Sequence, residues 1–225
     1  MSGQAGRARG AAGRFIHDLE ESAIAFLLGA MTLVTFVNVV LRYGFNSSLI
    51  WGLEVTLILF AWVVLLGVSH GFKINAHLGV DAVINLLSRR GRRLAAVVSG
   101  AACLLYALLL LKGAWDYWAP FAALQPTEGR WFPLGFAEGV RDRAFYETDQ
   151  VPMLGVFRWL EDAINYGDAY EKLPRVVPYF ILPFSTALIL LRILQASLGI
   201  LKGERESLIV SHEVEEAVER AAKGA

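Results

Sequence analysis

The sequence predicts an all-α integral membrane protein: four transmembrane helices plus amphipathic surface helices, with both termini cytoplasmic. Three observations lead there. Four long stretches are almost free of charge, lysine and arginine cluster between and beyond them in an alternating pattern, and 56% of the 225 residues are hydrophobic against 19% charged. Ser22–Leu41, Val55–Phe72 and Leu94–Leu111 contain no charged residue, and Val176–Leu201 contains only Arg192. About 20 apolar residues in a helix cross the ~30 Å of hydrocarbon, so each stretch with its flanking aromatics is long enough. A soluble four-helix bundle needs a polar face on every helix, and these runs are apolar all round. The spans fall at about 22–42, 51–71, 94–115 and 177–200.

The first span follows Arg7, Arg9 and Arg14, as a secretion signal would. Its apolar part is too long for one and runs into Leu41-Arg42-Tyr43 without small residues at a cleavage point, so it reads as an uncleaved helix. Arginine and lysine then set the orientation. The segment between spans two and three carries Lys73, Arg89, Arg90, Arg92 and Arg93, and the C-terminal segment carries Lys202, Arg205, Arg220 and Lys223, whereas the connector between spans one and two has Arg42 alone. The positive-inside rule places residues 1–21 and 203–225 in the cytoplasm as tails of a membrane domain spanning 22–202.

Between spans two and three, residues 76–88 show apolar positions at 80, 83, 84 and 87, the 3-and-4 spacing of an amphipathic helix followed by the Arg89–Arg93 cluster. Such a helix lies on an anionic leaflet, making membrane lipid its expected partner. Residues 116–175 form an extracytoplasmic insertion with ten acidic and six basic residues. It opens on Trp115, Tyr117, Trp118 and Phe121, the composition of a headgroup-level aromatic belt. Leu154, Phe157, Leu160 and Ile164 predict a second amphipathic element within 153–173, set on the membrane or on a partner. In the fourth span, Pro183 requires a kink or a substitute donor for a freed carbonyl.

The informative polar residues are few. Arg42 ends span one and Glu54 begins span two on the same side of the membrane, one turn after Trp51. They are open to three readings: two snorkelling side chains, a contact with a partner subunit, or an internal ion pair. Thr35 and Asn38 can hydrogen-bond across helices. Lys112 and Asp116 read as a pair at the end of span three, and Arg192 as a side chain reaching the headgroups. His70 and His77 stand seven apart with no completing ligand, so neither haem nor metal is expected, and the single cysteine, Cys103, reads as a packing residue. P-loop, nucleophile-elbow, zinc-protease and dinucleotide motifs are all missing, which predicts a chain that is not an enzyme, with no catalytic residues, no cofactor and no nucleic-acid partner.

The ordered set Asn38-x-x-x-Arg42-Tyr43, Trp51-x-x-Glu54, Trp62, Gly67 and His77-x-Gly-Val-Asp81 resembles the signature of the small membrane subunit of tripartite ATP-independent periplasmic (TRAP) transporters, the DctQ-type family. The match covers roughly residues 20–90. The resemblance implies a multi-pass protein of the bacterial inner membrane. It further implies a non-catalytic scaffold that braces a large multi-span, elevator-type permease subunit served by a periplasmic solute-binding protein. Such systems import organic acids on a sodium gradient, C4-dicarboxylates being the leading expectation. By the same resemblance Asn38, Arg42, Trp51, Glu54, Trp62, His77 and Asp81 are structural or partner-interface residues. The sixty-residue outer segment departs from the short connection of compact family members, and the expectation for it, apart from the resemblance, is that Trp131–Leu173 helps form a docking rim for the binding protein. The competing reading is a self-contained homo-oligomeric channel or sensor, which needs a polar pore stripe. A redox-enzyme anchor needs facing histidines.

Overall fold

The computed structural model describes residues 11–74, 88–127, 129–133 and 143–201. Four helices in it are long and apolar enough to cross a membrane. The first, α1, is Ala11–Gly44, beginning ten residues inside the stretch read as an N-terminal tail. It ends where Asn46 takes the left-handed conformation (φ 49°), which asparagine tolerates, and where the amides of Phe45 and Ser47 fold back onto the Leu41 carbonyl. Helix α2, Gly52–Ile74, follows after seven residues, with Glu54 in its first turn, where the helix dipole favours an anion. Helix α3, Arg89–Trp118, is capped by Ser88, whose hydroxyl accepts from the Gly91 amide at 3.3 Å.

The last helix is interrupted. A short α5, Val176–Tyr179, is separated by Phe180 from α6, Ile181–Leu201 (α4 lies in the cap below). Pro183 has no amide to give the Tyr179 carbonyl four residues back, so the ladder breaks here as expected. Buried Ser185 and Thr186 return their hydroxyls to the Leu182 carbonyl (3.3 and 2.7 Å), satisfying themselves within the helix.

The helices pack in the order α1, α2, α6, α3: α1 lies against α2, α2 against α6, and α6 against α3. Ala107, Ile189 and Ile193 form the buried seam between α3 and α6, with Phe72 of α2 and Cys103 packed on it. Helix α1 is peripheral. Only 6% of its most apolar stretch is buried, against 44% for the fourth span.

Residues after α3 fold back as a small cap over one end of the bundle. A 3-10 turn, Ala119–Ala122, leads through β1 (Glu147–Pro152), a 3-10 turn at Gly155–Phe157, helix α4 (Trp159–Ile164) and β2 (Lys172–Pro174). The strands pair antiparallel, Glu147 opposite Pro174 and Pro152 opposite Lys172, with an irregularity between. Phe121, Ala122, Leu160, Tyr170 and Val176 make its buried core. Tyr170 donates its hydroxyl to the Ala144 carbonyl at 2.7 Å, so the one polar atom of that large side chain is satisfied.

The cap adds a small two-stranded sheet to an otherwise helical membrane fold, which the sequence reading does not include. Of the amphipathic face read in 153–173, Phe157, Leu160 and Ile164 turn into the cap's own core, while Leu154 stays exposed. Pro152 and Gly155, with the left-handed Tyr166 (φ 55°) and Gly167 (φ 81°), hold the helix to six residues. The predicted surface helix 76–88 and the C-terminal tail lie outside the described residues, apart from Ser88. Phe121→Ala should empty the centre of the cap and cost about 3–5 kcal/mol. The expected result is faster limited proteolysis within the cap, between Ala144 and Lys172, with helical circular dichroism retained.

Candidate functional site

Among the described residues, the polar side chains singled out by the sequence form no catalytic constellation. Several of them tie elements together instead. At the α1–α2 connector, Asn38 Oδ1 accepts from the Leu49 amide at 3.0 Å, and the Leu49 carbonyl accepts from the Gly52 amide at 3.0 Å. A Cβ on Gly52 would stand 3.0 Å from Leu49 Cβ and 3.7 Å from Asn38 Cγ, so a larger residue would push the connector apart by a few tenths of an ångström. Thr35 bonds its own helix at the Met31 carbonyl, not another one. Trp51 is half-buried at the head of α2, and Arg42 is exposed.

Glu54 is the residue the structure reassigns. No ion pair joins it to Arg42; its carboxylate instead accepts three successive backbone amides of β1. Asp149 N–H reaches Oε1 at 2.9 Å, while Gln150 and Val151 reach Oε2 at 2.7 and 3.2 Å. Hydrogen bonds to a charged acceptor are worth about 1.5–3 kcal/mol each, so this is a strong tie between membrane helix and cap. Arginine is the obvious partner by charge. Ninety-five residues of sequence separation hide the actual one.

Two indoles continue the junction. Trp62 Nε1 of α2 donates to the Pro178 carbonyl at 3.0 Å, and Trp118 Nε1 of α3 donates to the Val176 carbonyl at 2.9 Å. Both acceptors lie on α5, just before the break in the last span, so this short turn is tied to side chains from two neighbouring helices. Lys112 and Asp116 do pair, at 2.6 Å, but they do not simply reach for water. Thr127, buried beyond the 3-10 turn, donates its amide and hydroxyl to Asp116 and accepts from Lys112. Arg175 completes the junction, its Nε donating to the Glu147 carbonyl at 2.8 Å and its Nη2 standing 3.3 Å from Asp149 Oδ1.

At the opposite end Arg192 does not snorkel. Its Nη2 lies 2.7 Å from Glu20 Oε1, with both side chains mostly buried. His70 stands 3.7 Å from Glu20 and from Glu21. One cluster therefore joins α1, α2 and α6. An arginine deep in an otherwise apolar helix calls for a carboxylate, and Glu20 is an acid just before the first apolar run. His77 and Asp81 fall outside the described residues.

Among the described residues no group of three His, Cys, Asp or Glu side chains is placed to hold a metal ion. A small multi-pass membrane protein whose polar groups serve its own connections is the class these features define. Comparison with known proteins gives the family. Residues 31–137 match the DctQ component of the tripartite ATP-independent periplasmic transporters. A C4-dicarboxylate TRAP transporter small permease protein of Vibrio cholerae is 44% identical over 207 residues, spanning 92% of this chain and 82% of that protein. Its counterpart in Pseudomonas aeruginosa is 39% identical over 126 residues, covering 44% of this chain and 60% of the other. A small permease protein of Haemophilus influenzae, itself named putative, is 33% identical over 101 residues, 45% and 63% of the two chains. The chain belongs to the DctQ family of TRAP transporter small permease subunits, and is a multi-pass protein of the bacterial inner membrane.

Two outcomes test the ties. Glu54→Ala should raise hydrogen exchange at the Asp149–Val151 amides at least about tenfold, since losing even one charge-assisted bond is worth that much, while Arg42→Ala leaves those amides protected. Arg192→Leu should destabilise the chain in detergent by up to about 3 kcal/mol, and adding Glu20→Leu should recover most of that loss, because the single change leaves a carboxylate without its closest cation.

Proposed function

We propose that this chain is the non-catalytic scaffold subunit of a sodium-gradient-driven, binding-protein-dependent importer of C4-dicarboxylates. It braces a large elevator-type permease subunit. The observation that carries the reading is where the charges go. In the described spans Glu20, Glu21, Glu54, Lys112, Asp116 and Arg192 are engaged within the chain, and exposed Arg42 stands apart at the end of α1, so the described residues hold no continuous polar row along the spans. A self-contained channel needs a polar pore stripe. The outward faces of the helices carry Phe26, Leu33, Phe36, Leu57 and Phe60, fit for lipid or for the apolar flank of a larger membrane partner. The substrate class rests on the C4-dicarboxylate transport for which the Vibrio cholerae relative is named.

The Lys and Arg placement supports cytoplasmic termini, which puts the cap in the periplasm. There it presents Trp131, Phe132, Val156, Trp159 and Tyr166 to solvent. Exposed aromatics of this kind are the usual anchors of protein interfaces, and they support a docking rim for the binding protein within Trp131–Leu173. Deleting that segment wholesale would remove both strands and Leu160 from the cap core, so point changes are the sharper test.

In cells lacking this subunit, sodium-dependent uptake of labelled succinate should fall to background, and restoring the chain should restore it. Uptake that persists without the chain would overturn the reading. Phe132→Ala with Trp159→Ala should lower binding-protein-dependent uptake about tenfold, as expected for loss of interface anchors, while the membrane complex still co-purifies. Unchanged uptake would remove the rim from the cap.

A further inference from the structure

A groove of about 1030 Å³ runs between α2 and α3, with α6 as its floor. It is lined by apolar side chains such as Leu57, Leu65, Leu110 and Ile181, with Glu54, Asp149 and Arg175 lining it at the cap end. Its length is diagnostic. On α2 it reaches from Glu54 to Val68, fourteen residues or about 21 Å at 1.5 Å each. One turn further, Phe72 packs against Ala107, Ile189 and Ile193 and closes it. One leaflet with its headgroups is roughly 20–22 Å deep, half of the ~40–45 Å bilayer. A partner helix would need a track through the whole membrane; this one stops halfway.

The mouth carries both signs of charge. Arg175 and Asp149 line it 3.3 Å apart, and the Asp149 side chain is 78% exposed. Lys172 is held on the Asp149 carbonyl, Glu54 lies at the rim on its three amides, and Tyr117 and Tyr179 stand at the same level. A headgroup with an anion alone would meet the Glu54 and Asp149 carboxylates. A zwitterion pairs both ways, phosphate toward Arg175 and cation toward Asp149. An ammonium donates hydrogen bonds to that carboxylate, which a trimethylated cation cannot do.

We infer that this groove is a binding site for one phospholipid of the cap-side leaflet, with a primary-ammonium zwitterionic headgroup of the phosphatidylethanolamine class. The acyl chains lie along α6 between α2 and α3, and the headgroup lies over the Arg175–Asp149 pair, phosphate on the guanidinium side and ammonium on the exposed carboxylate side. The lipid fills a space that the chain's own helices leave open and packs α2 and α3 against the outer half of α6.

Gly113 gives a clean probe, because a Cβ there meets nothing within 4 Å and a larger side chain grows into the groove. The full-length chain, reconstituted in vesicles of equal parts palmitoyl-oleoyl phosphatidylethanolamine, phosphatidylcholine and phosphatidylglycerol, is released into native mass spectrometry. One retained phosphatidylethanolamine per chain is expected, at least tenfold over the other two. Gly113→Phe should cut retention tenfold or more. Asp149→Asn, an exposed change outside the helices, should keep a lipid but lose the preference over phosphatidylcholine. Equal retention by wild type and Gly113→Phe would overturn the site, as would a preference for phosphatidylglycerol or an undiminished preference in Asp149→Asn. Cross-linking a permease helix to position 113 in the complex extracted from native membranes, with no lipid retained, would also overturn it and assign the groove to a protein contact.

Discussion

A carboxylate at the edge of a bilayer must find donors, and Glu54 finds three at once in the consecutive amides of Asp149, Gln150 and Val151. That arrangement fixes β1 directly over the start of α2. With β1 fixed, β2 pairs beside it, Arg175 at the end of β2 reaches the Glu147 carbonyl, and α5 enters the membrane at a defined place. Trp62 and Trp118 then meet the carbonyls of α5. The cap is thus registered on the helices by Glu54 on α2, by Asp116 and Trp118 on α3, and by α5 leading into α6.

The other end is held by a different device. Arg192, Glu20 and His70 bring α6, α1 and α2 together where the apolar stretches stop. Peripheral α1 has little buried surface of its own, so this cluster and the Asn38–Leu49 bond at its far end are what fix its position. Helices in lipid gain no hydrophobic energy from meeting one another. Polar ties at the ends hold them here, and the middle is left apolar for lipid or a larger partner.

Much of this is legible in the chain. Uninterrupted apolar runs mark the four helices, because a bilayer imposes length and composition together. The Asn38–Arg42–Trp51–Glu54–Trp62 pattern points to the family, and three of its members, Asn38, Glu54 and Trp62, do make the connections described. Partners are another matter. Pairing Glu54 with Arg42 follows charge and proximity in sequence, whereas the structure answers the acid with backbone amides that no residue type advertises. The cap is hidden for a related reason: Leu154, Phe157, Leu160 and Ile164 have helical spacing, but Pro152, Gly155 and Gly167 truncate the element, and the strands on either side are too short to signal themselves. The partner of Arg192 is within reach of the sequence, since a lone intramembrane arginine demands an acid.

Charges engaged mostly within the chain and an apolar exterior support the proposed role of a brace working against another protein. The most direct measurement is the mass of the assembly extracted in mild detergent from its native membrane through a tag on this chain. One copy of the chain with one large multi-span permease is expected. A homo-oligomer alone, stable across detergents, would contradict the brace and return attention to a pore formed by copies of this chain.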